Sequence, residues 1–198
     1  MSDAEEMPTV VLASASPRRL DLLRQIGIEP FVEPADVDET LDDGVDVAAA
    51  VAGLAAAKAR AVAARHQGEP VLVLGADTLV VLDGQPLGKP SDEPEARDML
   101  RRLSGREHQV MTGVAIIDAA TGNDVGGVET TIVRFRDLES DEIDAYVATG
   151  EPLDKAGAYG IQGGAAAFVA GLTGDHSNVV GLPLPLVERL LGELIRRP

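Results

Sequence analysis

The segment Leu12–Leu23 (LASASPRRLDLL) constrains the fold of this chain more than any other stretch. It begins inside a short apolar run, Thr9–Ala13, which predicts a buried strand. Pro17 directly follows Ser16, and a proline at the first helical position after a serine cap favours the start of a helix. Gly27 predicts where that helix ends. A strand that leads into a helix through a tight turn is typical of an α/β protein.

The rest of the chain mixes helical and strand patterns. Helices are predicted at Val47–Arg65, Glu93–Leu103, Ser140–Ala148 and Pro185–Arg197, and strands at Val71–Leu74, Leu79–Leu82, Gln109–Asp118, Val125–Arg136 and Ala167–Leu172. Asp83-Gly84 and the segment ATGND at 120–124 predict two hairpins, which argue against an all-parallel sheet. Residues 31–43 are interpreted as a loop or irregular edge, and 151–164 carry little periodicity. We therefore expect an α/β fold with a twisted mixed sheet and flanking helices.

The length and composition indicate one folded domain. A chain of 198 residues with 45% apolar residues suits a single domain over residues 1–198, in which the central hairpins could form a smaller lobe. The absence of cysteine excludes disulfides, thiolate metal sites and a cysteine nucleophile. The N-terminal residues MSDAEEMP lack the apolar core of a signal peptide, and no run is long enough to span a membrane. We expect a cytoplasmic protein.

The charge of the chain limits its partners. Asp and Glu number 33 against 17 Lys and Arg, which gives a net charge of −16. Such a surface repels nucleic acids and anionic membranes, so neither is expected as a partner. The charge excess and the scarcity of lysine favour adaptation to high salt, which screens the repulsion. Solubility alone is the simpler interpretation. The three lysines are Lys58, Lys89 and Lys155.

Arg18 and Arg19 stand in the first turn of the predicted first helix. Cations there oppose the positive end of the helix dipole, and a bound anion would offset that cost. Free backbone N–H groups and the hydroxyls of Ser14 and Ser16 would add donors to such an anion site. Guanidinium groups also match phosphate oxygens in shape. A capped helix with two solvated arginines fits equally well, so this segment alone leaves both interpretations open.

Carboxylates and lysines elsewhere suggest a site for a polyanion and a metal. Asp77 follows a predicted strand, where ligands of open α/β sheets usually bind, and it could hold a cation or act as a general base. The segment 35–39 carries Asp36, Asp38 and Glu39. A solvated acidic loop is the stronger interpretation of this segment, and its pairing with a phosphate site would favour magnesium. The three lysines, on separate elements, could converge on one polyanion or lie on the surface.

Six motifs together resemble the Maf family of nucleoside triphosphate pyrophosphatases. In chain order they are SASPRR at Ser14–Arg19, GADT at Gly75–Thr78, LGKP at Leu87–Pro90, LSGREH at Leu103–His108, DKAGAYGIQG at Asp154–Gly163 and VVGLP at Val179–Pro183. The resemblance covers about residues 9 to 190. It implies a fold similar to that of inosine triphosphate pyrophosphatases, often as a homodimer. It also implies hydrolysis between the α- and β-phosphates of a nucleotide, assisted by Mg²⁺ or Mn²⁺.

The resemblance also implies roles for individual residues. Asp77 matches a proton acceptor and Glu39 a second carboxylate; the two could both hold the metal, or one could activate water while the other holds the metal. The residues that it implies to bind substrate are Arg18, Arg19, Lys58, Thr78, Lys89 and Gln162, and the hydroxyl of Ser14 and the ammonium of Lys155 are predicted substrate-binding groups from the residues themselves. Among these, Arg18, Thr78 and Gln162 resemble the branch that acts on dTTP and UTP. His176 departs from the pattern, because a tyrosine is expected there.

Other function classes remain open at this stage. A nucleotide-binding regulator of cell division would bind the same ligand without turnover, although paired carboxylates are not needed for binding a polyanion. A pyrophosphatase for purine nucleotides is disfavoured by Arg18, Thr78 and Gln162. A plain phosphatase is disfavoured because no phosphatase nucleophile motif is apparent.

Overall fold

The computed structural model describes residues 8–41 and 44–196. The helices are α1 (Pro17–Gln25), α2 (Val47–Ala63), α3 (Glu93–Leu103), α4 (Ser140–Val147), α5 (His176–Val180) and α6 (Leu184–Ile195). The strands are β1 (Thr9–Leu12), β2 (Phe31–Val32), β3 (Val71–Leu82), β4 (Gln85–Leu87), β5 (Glu107–Asp118), β6 (Asp124–Phe135) and β7 (Val169–Thr173). Short 3₁₀ turns at 151–154, 156–158 and 164–168 connect α4 to β7.

These strands form one mixed sheet. Its order is β2-β1-β3-β5-β6-β7, and β4 pairs with the end of β3. Strand β1 runs parallel to β2 and β3, whereas the remaining pairs are antiparallel. The predicted α/β class with a mixed sheet is confirmed. Pairing between β1 and β3 stops at Leu12 and Leu74, yet β3 continues to Leu82. This mismatch in length leaves room beside the middle of β3.

The prediction of two separate strands at Val71–Leu74 and Leu79–Leu82 is wrong. The intervening Gly75–Thr78 belongs to the same twelve-residue strand β3, and it pairs with Ala115–Thr112 of β5. The antiparallel ladder with β5 satisfies the backbone groups of these residues, so the strand does not need to end at the glycine. Asp77 therefore lies inside a strand rather than after one.

Several local predictions can be compared with the structure directly. The Asp83-Gly84 hairpin is confirmed, and both residues have the positive φ that its tight turn requires, 53° and 76°. Asp46 caps α2 by accepting from the Ala49 amide. Phe31–Val32 forms a short strand at the edge of the sheet, in agreement with one of the two alternatives for residues 31–43, while residues 42 and 43 of that acidic segment lie outside the described residues. Helix α5 was not predicted.

The core lies on both faces of the sheet, because successive residues of β3 point to opposite sides. Leu74 packs in the cluster that includes residues of α1 and α6, whereas Val73 packs in the cluster that includes residues of α2. Further along β3, Leu82 packs with α3 and α4. Within the described residues, no helix is both long and apolar enough to cross a membrane. The consequence of the two-sided packing is that α1 and α2 approach the middle of β3 from opposite faces.

Candidate functional site

All ten residues implied by the sequence to form the site line one cleft of about 800 Å³. They are Ser14, Arg18, Arg19, Glu39, Lys58, Asp77, Thr78, Lys89, Lys155 and Gln162. The cleft lies beside the middle of β3, in the space that opens where β1 has ended. Segments far apart in the chain therefore converge at the carboxyl end of β1, where open α/β sheets usually bind ligands.

Two carboxylates share one ammonium group at the floor of the cleft. Lys58 Nζ donates to Asp77 Oδ1 at 2.6 Å and lies 2.5 Å from Glu39 Oε1. Lys58 and Asp77 are buried, whereas the Glu39 side chain is half exposed. The hydrogen bond from Lys58 lowers the pKa of Glu39 below its ordinary value. The shared ammonium group therefore holds the two carboxylates close together at the floor of the cleft.

Glycines on the sheet let α2 deliver Lys58 to this position. A Cβ atom on Gly75 would lie 2.3 Å from the Ala55 carbonyl oxygen, and one on Gly113 would lie 2.4 Å from the Val51 carbonyl oxygen. Both carbonyls belong to the backbone of α2. Asp77 points to the same face of β3 as Gly75, because every second residue of a strand points to the same face. The close packing of α2 therefore brings Lys58 directly to Asp77.

Arg19 is held on the other side of the cleft by three acceptors. Its Nε donates to the Gly181 carbonyl at 2.8 Å, Nη1 to Ser14 Oγ at 3.0 Å and Nη2 to Thr78 Oγ1 at 3.1 Å. Burial lowers the pKa of Arg19 from its ordinary value, and the nearby charges of Asp77 and Glu39 oppose that shift. Three fixed acceptors orient the guanidinium in the cleft, where it can bind an oxyanion.

The start of α1 gives the cleft further donors. The helix begins at Pro17, and the extended Ser16 before it makes no side-chain cap. The Ser16 amide instead donates to Ser14 Oγ at 3.2 Å. Arg18 also lines the cleft. The first amides of an uncapped helix are available to an anion, so the structure retains the anion-binding features expected from the sequence.

Lys155 and Gln162 reach the cleft from the glycine-rich segment after α4. Lys155 Nζ donates to the Glu151 carbonyl and to Asp154 Oδ1, both at 2.6 Å. The Glu151 carboxylate accepts from Tyr146 Oη at 3.0 Å and from the Gly164 amide at 3.1 Å. These bonds fix the ends of the turn that carries Gln162. The Gln162 side chain is exposed at the rim of the cleft.

Lys89 lies exposed at another part of the cleft wall, after β4. Within residues 8–41 and 44–196 it makes no ion pair, and its positive charge contributes to the lowered pKa of Glu39. An exposed lysine that forms no ion pair within the described residues is available to an anionic ligand.

The buried polar residues behind Arg19 were not predicted from the sequence. Thr112 and Asn178 are fully buried, and Thr112 Oγ1 lies 2.9 Å from Thr78 Oγ1. No function was predicted for Gly181, which belongs to the VVGLP motif. Its carbonyl accepts a hydrogen bond from Arg19. A signal was present, since Thr112 interrupts an apolar strand pattern and Asn178 precedes an apolar run. Buried polar residues of this kind usually have hydrogen-bond partners.

The donor set at the floor of the cleft fits a divalent cation that also binds phosphate. Within the described part of the chain, no cluster of three or more His, Asp or Glu side chains could hold a metal by itself. Asp77 and Glu39 supply two carboxylates around the Lys58 ammonium. Magnesium usually takes one or two carboxylates and completes its shell with water and substrate phosphates. The two carboxylates therefore fit a metal that needs the substrate to complete its coordination.

Comparison with known proteins then identifies the family. Residues 9–194 match the sequence model of the Maf family, described as Maf-like protein. The chain belongs to the Maf family. This confirms the resemblance found in the motifs. The Maf-like chain is 55% identical over 185 residues to the dTTP/UTP pyrophosphatase of Moorella thermoacetica, and the match covers 93% of this chain and 94% of the relative.

A second relative and a solved structure extend the comparison. The Maf-like chain is 46% identical to a nucleoside triphosphate pyrophosphatase of Streptomyces coelicolor, over 93% of this chain and 90% of the relative. The structure of a HAM1 protein from Coxiella burnetii superposes with a TM-score of 0.53 and 16% identity, covering 96% of this chain and all of that protein. This last likeness concerns the fold alone, and it agrees with the fold expected from the sequence.

Proposed function

We propose that the Maf-like chain hydrolyses nucleoside triphosphates, preferably dTTP and UTP, to the nucleoside monophosphate and pyrophosphate. The observation that carries the proposal is the Asp77–Lys58–Glu39 array on the floor of a cleft that also holds Arg19. Paired carboxylates beside anion-binding groups suit water attack on a phosphorus atom. The names of the two relatives, dTTP/UTP pyrophosphatase and nucleoside triphosphate pyrophosphatase, support the same reaction.

The charges of the cleft explain how an acidic protein can bind a polyanion. The chain carries a net charge of −16, which repels a triphosphate at long range. Five cations line the cleft and offset that repulsion locally: Arg18, Arg19, Lys58, Lys89 and Lys155. Since the chain has three lysines in all, every lysine lies at this cleft. We infer that the cations bind the phosphate chain and stabilise negative charge on the leaving pyrophosphate.

Asp77 is the proposed proton acceptor. Lys58 holds its Oδ1 atom, so the carboxylate is fixed in orientation, and its second oxygen is available to a water molecule. That water forms a bond to the α-phosphorus as the bond to the bridging oxygen of pyrophosphate breaks. The proton released by the water goes to Asp77, and the bond pair goes to the leaving pyrophosphate. Little covalent chemistry by the protein is needed beyond this positioning.

A divalent cation, Mg²⁺ or Mn²⁺, is the proposed cofactor. Either Asp77 and Glu39 would both hold it, or Glu39 would hold it while Asp77 activates the water. When bound, it would neutralise phosphate charge and make water a better nucleophile. Glu39 follows the edge strand β2, and its half-exposed carboxylate lines the cleft. A metal held there would also be accessible to the phosphates of an incoming nucleotide. Cytoplasmic location, a homodimer and adaptation to high salt remain predictions from the sequence.

A product assay tests the proposal. The purified protein is incubated with dTTP, UTP, CTP, ATP or GTP and with Mg²⁺ or Mn²⁺, at low and high KCl. Monophosphate and diphosphate are resolved, and pyrophosphate is measured separately from orthophosphate. We expect pyrophosphate with dTMP or UMP and little product from purine nucleotides. Nucleotide binding without product under every condition would instead favour the regulator of cell division.

A further inference from the structure

Three polar side chains lie completely buried behind the cleft, and the proposed reaction does not use them. They are Thr112 on β5, Thr131 on β6 and Asn178 on α5, each with no exposed surface. We refer to these three residues as the buried polar cluster. Asn178 Nδ2 donates to the Val110 carbonyl and to Thr131 Oγ1, both at 2.9 Å. The cluster therefore ties α5 to the two central antiparallel strands.

In the contact between the Thr78 and Thr112 hydroxyls either oxygen could be the donor, and one of the two directions also pairs the Asn178 carbonyl. The amides of Gly181 and Leu182 both donate to the Ser177 carbonyl, so the neighbouring Asn178 carbonyl takes its bond from Thr112 Oγ1 at 3.3 Å. In that direction the one hydrogen of the Thr112 hydroxyl goes to the Asn178 carbonyl, and Thr112 Oγ1 accepts from Thr78 Oγ1 at 2.9 Å.

Because the hydrogen of the Thr78 hydroxyl points to Thr112, the Thr78 oxygen can accept a hydrogen bond from Arg19. Arg19 has donors and no acceptor, so Thr78 Oγ1 accepts from its Nη2 at 3.1 Å. The hydrogen bonds thus run in one direction, from Arg19 through Thr78 and Thr112 to the Asn178 carbonyl. An aligned series of this kind is stronger than isolated bonds, because each bond polarises the next.

Without the Thr112 hydroxyl, Thr78 would have a different nearest acceptor. The Gly181 carbonyl lies 3.4 Å from Thr78 Oγ1 and already accepts from Arg19 Nε at 2.8 Å. A Thr78 hydroxyl that turned to this carbonyl would compete with Arg19 for it. Two of the three acceptors of the Arg19 guanidinium, Thr78 Oγ1 and the Gly181 carbonyl, would then both change their hydrogen bonding.

We propose that Thr112 is a positioning residue for nucleotide binding by Arg19. It takes the hydrogen of Thr78 and thereby fixes the two acceptors, Thr78 Oγ1 and the Gly181 carbonyl, that orient the guanidinium. The inference rests on the proposed function in one respect, namely that the anion bound by Arg19 is a nucleoside triphosphate.

Calorimetric titration with α,β-imido-UTP, which cannot be cleaved between the α- and β-phosphates, tests the inference without turnover. Thr112→Val keeps the shape of the side chain and removes the hydroxyl, and Thr112→Ser retains the hydroxyl. We expect Thr112→Val to weaken binding about tenfold and Thr112→Ser to bind within about twofold of the unchanged protein. Equal affinity of Thr112→Val and the unchanged protein would overturn the proposal.

A double-mutant cycle with Arg19→Lys separates positioning from a general structural effect. Lysine keeps the charge but cannot contact three acceptors at once. If Thr112 acts through Arg19, adding Thr112→Val to Arg19→Lys leaves the dissociation constant nearly unchanged. If Thr112→Val raises the dissociation constant by the same factor in the Arg19→Lys variant as in the protein with Arg19, the proposal is contradicted.

Folding of each variant is checked by circular dichroism. Should Thr112→Val fail to fold, the pair Thr112→Ser and Thr112→Ala gives the same comparison, since both lack the methyl group and only one has the hydroxyl. A protein that binds the analogue but releases no pyrophosphate from UTP would refute the proposed activity and leave this comparison intact.

Discussion

Lys58 on α2 and Asp77 on β3 meet in the core of the cleft, with their charged atoms 2.6 Å apart. The backbone of α2 lies so close to β3 at Gly75 that no side chain fits between them. Gly75 lies under the α2 backbone, and the missing side chain lets the two elements approach. The chemistry of the site thus depends on a residue that takes no part in it.

Replacement of Gly75 by alanine should therefore separate the helix from the sheet. The added Cβ would lie 2.3 Å from the Ala55 carbonyl oxygen and 2.7 Å from the Ala59 amide nitrogen, and neither backbone atom can move independently of α2. We expect Gly75→Ala to lower the free energy of unfolding by about 1–3 kcal/mol and to reduce kcat. Denaturant unfolding and pyrophosphate release measure the two effects.

The matched control is Gly53→Ala on the same helix. A Cβ there meets nothing within 4 Å, and alanine favours helix, so stability should rise by up to about 1 kcal/mol with unchanged kcat. If Gly75→Ala leaves stability and kcat as high as Gly53→Ala does, the close approach of α2 to the sheet does not determine the activity of the site.

Asp77→Asn should remove the proton acceptor while keeping the shape of the side chain. We expect kcat for pyrophosphate release to fall at least about 100-fold, with the fold unchanged by circular dichroism. Asp98→Asn, at an exposed position of α3 outside the cleft, serves as the control and should retain full activity. Wild-type turnover in Asp77→Asn would show that another group accepts the proton.

Thr78→Gln combined with Gln162→Glu should move nucleotide preference away from dTTP and UTP. Gln162 can both donate and accept hydrogen bonds, which matches the imide edge of thymine and uracil, whereas a glutamate carboxylate only accepts. The ratio of kcat/KM for UTP to that for GTP is the quantity to compare. The same ratio in the double variant and the unchanged protein would exclude these residues from base selection.

Acid should destabilise the fold through His108. Burial lowers the pKa of His108 from 6.5 to about 4, so between these values the unfolded chain binds a proton that the folded chain does not. Stability therefore falls as the pH drops from about 6.5 to about 4, by roughly 3 kcal/mol in total. Denaturant unfolding across this range measures the slope.

His108→Phe removes the titrating group and should flatten that slope, although the Tyr159 hydroxyl loses its partner and overall stability decreases. His176→Gln changes an exposed histidine instead and is the control for substitution as such. An equally steep slope in His108→Phe would assign the acid sensitivity to other groups.

The net charge of −16 should make folding depend on salt. Added KCl screens repulsion among the acidic side chains, so we expect the free energy of unfolding to rise between low and molar KCl. A titration followed by circular dichroism gives the result. A fully folded and equally stable protein without added salt would rule out adaptation to high salt.

Sequence patterns predicted elements whose boundaries are marked by local chemistry. Pro17 starts α1, Asp46 caps α2, and Asp83-Gly84 turns the hairpin between β3 and β4, as expected from residues that act on their own backbone. The patterns failed at Gly75–Thr78, because a glycine and a polar pair resemble a strand end. Pairing with β5, a distant segment, overrides that local preference.

The candidate site also combines features that were predicted from the sequence with contacts that were not. Motifs identified ten residues that all line one cleft, although no spacing in the chain could place Lys58 against Asp77. In the structure that contact accompanies the close packing of α2 on Gly75 and Gly113, where a Cβ atom would clash with the helix backbone. Thr112 and Asn178 escaped notice because a buried hydroxyl or amide matters through its partners, and those partners lie in other segments.

The sequence by itself determined the α/β class, the family and a set of ten residues that line one cleft, since these follow from local patterns and motif order. The tertiary structure decided which charges share a partner and which way Arg19 is held. Hydrogen bonds and ion pairs act over about 3 Å, so they depend on how distant segments pack. In this chain that packing is set by the short strand β1 beside the longer β3 and by the close contact of α2 with the sheet.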